Sequence, residues 1–394
     1  MDNTKTAEFI LTHRDDDPRD LALHASRFSD VDMPYAVRQI SAWQMARRKL
    51  PLWASTENII YPVHLSMEQC SSQLTAEYKA GIVEGGESMT DLTAGFGVDA
   101  TMIGRRYKHL NYVERTEELC SIAAHNLPLL GICDYDIYNT DAVDILSSLP
   151  HQQLIYLDPA RRDENGAKTV RITDCTPDVT SLQNSLLALA DTVMIKLSPM
   201  LDLTDVVREL KCVQQVHIVS VENECKEVLV VMSGSADKVL EADKVNIHCI
   251  NIKKDGCLER YVFSMADERT ALCHYAAGVK QYLYEPNVSI MKAGCFKSIA
   301  QSYHIEKLHP MSHLYTSDSL IDDFPGRVFK VDSVFGMKDK ELKRIKKANL
   351  TVRNFPSSVA DLRKRLKLSE GGDIYLFATT LSDESHVIIS GVKK

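Results

Sequence analysis

Residues 91–100 read DLTAGFGVDA, set between the strand-like MTDL of residues 89–92 and the helix-like VDATMIGRRY of residues 98–107. Gly95, Gly97 and Ala100 satisfy the G-x-G-x-x-A spacing of a dinucleotide-binding turn, a pattern that also arises by chance. Asp91 argues against that ligand. It stands at the strand's end, where a carboxylate repels a pyrophosphate and attracts a ligand with a positively charged head. The glycines let the backbone approach such a ligand without a Cβ in the way. Glu114 ends the next strand, HLNYVE, 23 residues beyond Asp91, the separation at which a carboxylate accepts both hydroxyls of a ribose. Asp141 follows YDIYNT at the end of a third strand, within reach of an adenine amino group. Each acid alone also reads as a helix N-cap. Three at three successive strand ends read as a site.

From Ser88 to about Gly234 the same alternation repeats through AVDILSSL, QLIYLD, SLQNSLLALA, TVMIKL, DVVREL, VHIVSV and KEVLVVMS. Short strands alternating with helices imply βαβ crossovers and a parallel sheet. Only ENEC separates the last two strands, too little for a crossover helix, so they form an antiparallel hairpin. The expected fold is α/β, a seven-stranded Rossmann-like sheet whose last strand is antiparallel. Residues 1–80 show helical periodicity in YAVRQISAWQMARRKLP and SMEQCSSQLTAEYKAGIV and read as a helical N-terminal region. An α/β domain then spans 81–278, with KVNIHCINI and LERYVFSM as two further strands. Small α+β units follow over 279–324, ferredoxin-like, and 325–394, where ANLTVRNFP, SVADLRKRLKL, DIYLFATT and SHVIISGV give a strand, a helix and two strands.

With 394 residues, 44% hydrophobic and 25% charged, the chain has the composition of an ordinary globular protein of more than one domain. No apolar run approaches the roughly 20 residues of a membrane-spanning helix. The start, MDNTKTAEFILTHRDDDPRD, carries acids where a signal peptide is basic, so a cytoplasmic protein is expected. None of the ten cysteines forms a C-x-x-C pair and the 13 histidines show no H-E-x-x-H spacing, so buried free thiols and no metal are expected. The net charge of −8 is uneven: residues 325–394 hold 15 Lys and Arg against 8 Asp and Glu. An acidic body with a basic appendage fits either a solvated face or contacts to phosphate. Helical spacing in the last unit turns Val359, Leu362, Leu366 and Leu368 toward a core. Arg363, Lys364, Arg365 and Lys367 are left outward, with Lys343, Arg344, Lys346 and Lys347 as a second basic surface.

The fourth strand runs into YLDPARRDENG, residues 156–166. Pro159 stiffens this loop so that Asp158 presents its carboxylate to an exocyclic amine. Arg161 and Arg162 bind a phosphate, stack on a base, or pair with Asp163 and Glu164. The segment SSQLTAEYKA before the first strand supplies Ser71, Ser72 and Tyr78 as substrate-side candidates, although a plain amphipathic helix accounts for them as well.

Over residues 81–234 the chain resembles the class I S-adenosylmethionine-dependent methyltransferases. QCSSQLTAEYKA, DLTAGFGVD and DPARR, with the small C-terminal unit, look like the bacterial methyltransferase family that ends in a THUMP-like domain. The resemblance implies S-adenosylmethionine as cofactor, whose sulfonium and ammonium suit Asp91. It implies cofactor contacts from Asp91, Thr93, Ala94, Gly95, Phe96, Gly97, Asp99, Glu114, Arg115, Asp141 and Ala142. Thr93 departs from the family, standing where many members have a glycine. The loop implies catalytic roles for Asp158, Pro159 and Arg161. Substrate contacts fall to Ser71, Ser72, Tyr78, Arg162, Lys196, Arg363 and Lys364. RNA 5-methyluridine enzymes place a nucleophilic cysteine after the fifth strand, where this chain has IKLSPM, so a covalent mechanism is not expected. The expected function is methylation of a base in RNA. Its rivals are an NAD-linked oxidoreductase on the same turn, disfavoured by Asp91 and the hairpin, and a non-catalytic RNA-binding protein.

Overall fold

The computed structural model describes residues 3–161, 171–234 and 240–394. β1 (Gly86–Asp91), β2 (Tyr107–Val113), β3 (Tyr135–Tyr138), β4 (Gln152–Leu157) and β5 (Ala190–Leu197) are parallel neighbours. They are followed by β6 (Val213–Val221), β7 (Glu224–Ser233), β8 (Asn246–Ile252) and β9 (Leu258–Phe263). The sheet order is β9-β8-β6-β7-β5-β4-β1-β2-β3. The expected seven strands are present, with β7 inserted between β5 and β6. The two further strands expected at KVNIHCINI and LERYVFSM join the same sheet and bring it to nine: β8 runs parallel to β6 and β9 antiparallel to β8, extending the sheet past its hairpin. The hairpin loop is only Glu222-Asn223, shorter than expected. Both residues have positive φ, 51° and 63°, as a type I′ turn requires.

Helices α1 (Asn3–His13), α2 (Pro18–Leu23), α3 (Met33–Lys49), α4 (Pro51–Ser55), α5 (His64–Gln69) and α6 (Gln73–Gly81) precede β1. The second periodic segment is broken at Cys70–Ser72, where Ser72 caps α6 by accepting the Thr75 N–H. Next come α7 (Val98–Gly104), α8 (Glu117–Leu129), α9 (Ala142–Ile145), α10 (Val179–Leu189) and α11 (Leu203–Glu209). The N-terminal helices bury Leu50, Trp53, Tyr61, Met67 and Ala76 in one cluster with Phe96, Val98, Met102, Ile122 and Leu130. Fully burying an aromatic the size of Trp53 removes a large apolar surface from water, and its truncation costs about 3–5 kcal/mol. This region therefore covers α7 and α8 as part of one core.

The chain divides into two compact units. One holds the described residues up to Gln214 with Leu229–Gly234, the other Gln215–Val228 with Leu240–Lys394. The second unit has a seven-stranded sheet of its own, built from β10 (Tyr282–Pro286), β11 (Glu306–Lys307), β12 (Tyr315–Ser317), β13 (Gly326–Gly336), β14 (Asn349–Arg353), β15 (Ile374–Thr380) and β16 (His386–Lys393). Its order is β11-β12-β10-β13-β16-β15-β14, so the two small α+β stretches share one sheet through the β10–β13 pairing. Helices α12 (Met265–Thr270), α13 (Val288–Ala293), α14 (Ser298–Ser302) and α15 (Val359–Leu366) complete it. On α15, Leu362 and Leu366 are buried, as is Leu368 just beyond it, but Val359 at its first turn is exposed, against expectation. The ten cysteines are free thiols, yet only Cys120, Cys175, Cys249 and Cys295 are buried. Among the described residues no helix is long and apolar enough to cross a membrane.

Candidate functional site

The carboxyl ends of β2, β1 and β4 lie side by side, with Asp91 in register with Tyr112 on one flank and Tyr156 on the other. The strand order reverses between β1 and β4, the place where open α/β sheets leave a crevice for ligands. Backbone N–H groups of Leu92 and Ala94 donate to the carbonyls of Tyr156 and Val113, which pins the chain leaving β1 across both neighbours. Gly95 and Gly97 then turn it with φ of +57° and +82°. At Gly97 a Cβ would also stand 3.2 Å from the Tyr112 ring, so residue 97 is glycine on two counts. The Tyr112 hydroxyl donates to the Gly95 carbonyl, fastening the turn to β2.

Asp91 is 1% exposed. Its Oδ1 accepts the Thr93 N–H at 3.0 Å, while Oδ2 is buried with no hydrogen-bond partner among the described residues. Burial pushes this carboxyl well above the ordinary carboxylate value; the Thr93 N–H opposes it, and the charges of Asp99, Asp158 and Glu114 add to it. A buried carboxylate oxygen without a donor is costly unless a cationic or donor ligand meets it. The residues present therefore fit a ligand that carries an ammonium group. Glu114 is half-buried at the end of β2, its two oxygens accepting the N–H groups of Gly95 at 3.1 Å and Thr116 at 2.8 Å. Asp141 is exposed and caps α9 through the Val143 N–H at 2.9 Å. Arg115 is exposed and Ala142 buried.

Asp99 lies elsewhere than in that row. Its carboxylate forms an ion pair with Lys79 at 3.1 Å and accepts the hydroxyls of Ser71 at 2.6 Å and Tyr156 at 2.7 Å; Lys79 also donates to Ser71 at 3.1 Å. Burial alone would raise its pKa, but the Lys79 charge, then Lys196, Ser71 and Tyr156, hold it below the ordinary value. Asp99 on α7 is thus tied to Lys79 on α6 and to Ser71 just before that helix, which Ser72 caps and to which buried Tyr78 belongs. Phe96 and Ala94 are buried, and Phe96 packs against the N-terminal helices. Sequence reasoning passed over Lys79, whose placement on the apolar side of α6 among Ala76 and Ala80 was the available signal.

Asp158, just past β4, is half-buried and forms an ion pair with Lys196 near the end of β5. Its N–H donates to the Thr93 hydroxyl at 2.6 Å. Thr93 therefore links the glycine turn to the Asp-Pro loop, a bond no glycine at that position can make. Pro159 is buried beside it. Arg161 continues the backbone into a two-residue ladder with Cys175, but its side chain and the whole of Arg162 lie outside the described residues. Far along the chain, in the second unit, Lys364 is exposed while Arg363 pairs with Glu370 at 3.1 Å. Buried Glu285 takes up Arg327 and, at 3.1 Å, Arg353. Among the described residues no group of three or more His, Cys, Asp or Glu is placed to hold a metal ion.

Residues 282–325 match a family described as a ferredoxin-like domain, and residues 326–391 one described as THUMP domain-like. A crystal structure of a presumed methyltransferase from Porphyromonas gingivalis W83 is 34% identical over 99% of this chain and 97% of its own, with a TM-score of 0.88. A presumed methyltransferase from Streptococcus mutans, in complex with SAH, is 13% identical over 41% of this chain and 96% of its own, with a TM-score of 0.31. No curated protein matches the sequence.

Proposed function

The chain belongs to the class I S-adenosylmethionine-dependent methyltransferase family with a C-terminal THUMP-like domain, and from that premise we propose that it methylates a base in RNA without a covalent nucleophile. The observation that carries the proposal is the orphaned, buried Oδ2 of Asp91 at the turn where the strand order reverses. S-adenosylmethionine bound there supplies an electrophilic methyl group on a sulfonium. Asp91 would accept the ammonium, Glu114 the ribose hydroxyls and Asp141 the adenine amine. A pyrophosphate would instead face the carboxylates of Asp91, Glu114 and Asp158.

Asp158 orients the acceptor, because methyl transfer to a reactive sulfonium carbon asks for alignment more than for acid or base strength. Lys196 holds its carboxylate and Thr93 its backbone, so the loop is set before the acceptor arrives. RNA is favoured by the THUMP-like match and by Lys343, Arg344, Lys346, Lys347, Lys364, Arg365 and Lys367, all exposed. Reversing Lys343, Lys346, Lys364 and Arg365 together should weaken RNA binding regardless of sequence and flatten its salt dependence by about 0.7 in slope per lost contact. Unchanged binding and slope would make this a solvated face. The reaction itself is tested by mass spectrometry of nucleosides from cells with and without the gene. One methylated nucleoside should vanish and return on incubation of the purified protein with that RNA and S-adenosylmethionine; an unchanged nucleoside profile overturns RNA as substrate.

A further inference from the structure

Resting on the cofactor reading above, we infer that the ligand's ammonium enters in exchange for a proton: Asp91 is protonated in the ligand-free protein and ionises as the cation binds. The exchange balances as carboxylic acid plus ammonium giving carboxylate–ammonium pair plus one proton, which passes to the buffer.

The geometry around Asp91 supports this from each side. From its own turn it receives a single N–H, that of Thr93. The charges that act on it from Asp99 on α7, Asp158 beyond β4 and Glu114 beyond β2 are all those of carboxylates. The cations nearby are directed elsewhere: Lys79 from α6 pairs with Asp99 and Lys196 from β5 with Asp158. The flanking tyrosines also turn their hydroxyls away, Tyr112 to the Gly95 carbonyl and Tyr156 to Asp99. A carboxylate so buried, beside three others and with one oxygen lacking a donor, is far more stable as the acid. An ammonium brought to Oδ2 reverses that preference, since an adjacent opposite charge favours the ionised form. Burial of Asp91, which pushes its pKa up, favours the acid until that cation arrives.

The test is calorimetry of the full chain with S-adenosylhomocysteine, in one buffer of low and one of high ionisation enthalpy, across the pH range over which the protein stays folded and the ligand keeps its ammonium. The inference expects release of about one proton per ligand at the acidic end, falling toward zero above the pKa of Asp91, with affinity dropping about tenfold per pH unit below it. Methylthioadenosine, which keeps the nucleoside and sulfur but has no ammonium, should release none. Asp91→Asn should bind S-adenosylhomocysteine more weakly and with equal heats in both buffers. Equal heats for the wild-type protein across the range overturn the exchange while leaving the cofactor reading intact. Proton release undiminished in Asp91→Asn assigns it to another group and likewise overturns it. Absence of any S-adenosylhomocysteine binding defeats both.

Discussion

Asp91 and Asp99 bracket one turn, Asp91 ending β1 and Asp99 opening α7, and are 1% and 8% exposed. Asp99 has an opposite charge, Lys79, beside Oδ1 and two hydroxyls donating to Oδ2, all at 2.6–3.1 Å, although Oδ1 makes no hydrogen bond among the described residues. Asp91 has one N–H and a bare oxygen. Burial with partners fastens helices together, whereas burial without them leaves a site poorer in stability than its surroundings until a ligand supplies what is missing. The contrast separates a carboxylate that serves the fold from one that serves a ligand, although both stand in the same ten-residue motif.

The largest expected effect falls on the satisfied side. Lys79→Met strands Asp99 as an unpaired buried charge and should cost about 3–5 kcal/mol in chemical denaturation. The double variant Lys79→Met/Asp99→Leu should recover much of it. A loss below about 1 kcal/mol for the single variant would mean the network is not what holds α6 to α7.

On the unsatisfied side, Asp91→Asn should weaken S-adenosylhomocysteine binding by about 1.5–3 kcal/mol, the range of a hydrogen bond to a charged group. The same change should leave the ligand-free protein as stable as wild type or more so, because a neutral amide of the same shape replaces a buried carboxyl that the fold keeps as the acid. A clear loss of melting temperature would place Asp91 with Asp99 and erase the comparison.

The two acids also predict opposite pH dependences. Asp91 has a raised folded pKa, so its contribution is fully present below the ordinary carboxylate value and is lost as pH climbs toward the folded one. Asp99 has a lowered folded pKa, so its contribution is present above the ordinary value and is lost as pH falls toward the folded one. Stability curves of Asp91→Asn and Asp99→Asn should flatten the decline on opposite sides; flattening on one shared side would show that the network titrates as a unit.

The smallest effect concerns Thr93. Thr93→Val removes the acceptor for the Asp158 N–H and should cost about 1 kcal/mol, while Thr93→Ser restores it. Equal stability of all three would reduce Thr93 to a packing residue.

Local signals carried the sequence reading where one segment specifies its own structure. The turn at Gly95 and Gly97, the strand-end acids Asp91 and Glu114, and the β6–β7 hairpin all lie within a few residues of the pattern that reveals them. Partners far apart in sequence were illegible. Asp99 meets Ser71 across 28 residues and Tyr156 across 57, and Lys196 meets Asp158 across 38, distances at which only the folded sheet decides who is adjacent. The 11-residue β13 was passed over because a register shift between Val331 and Ser333 interrupts its alternation, and with it went the single sheet of the C-terminal unit. Asp141 shows the opposite lesson: a strand-end acid that reads as a ligand contact also satisfies a helix cap.

The claim that Asp91 makes this turn a site for a cationic cofactor is tested most directly by calorimetry of wild-type and Asp91→Asn protein against S-adenosylhomocysteine and NAD in parallel. The account predicts that wild type binds S-adenosylhomocysteine and not NAD, and that Asp91→Asn loses about tenfold or more of that affinity. Binding of NAD by the wild-type protein, or equal S-adenosylhomocysteine affinity in both proteins, would contradict it.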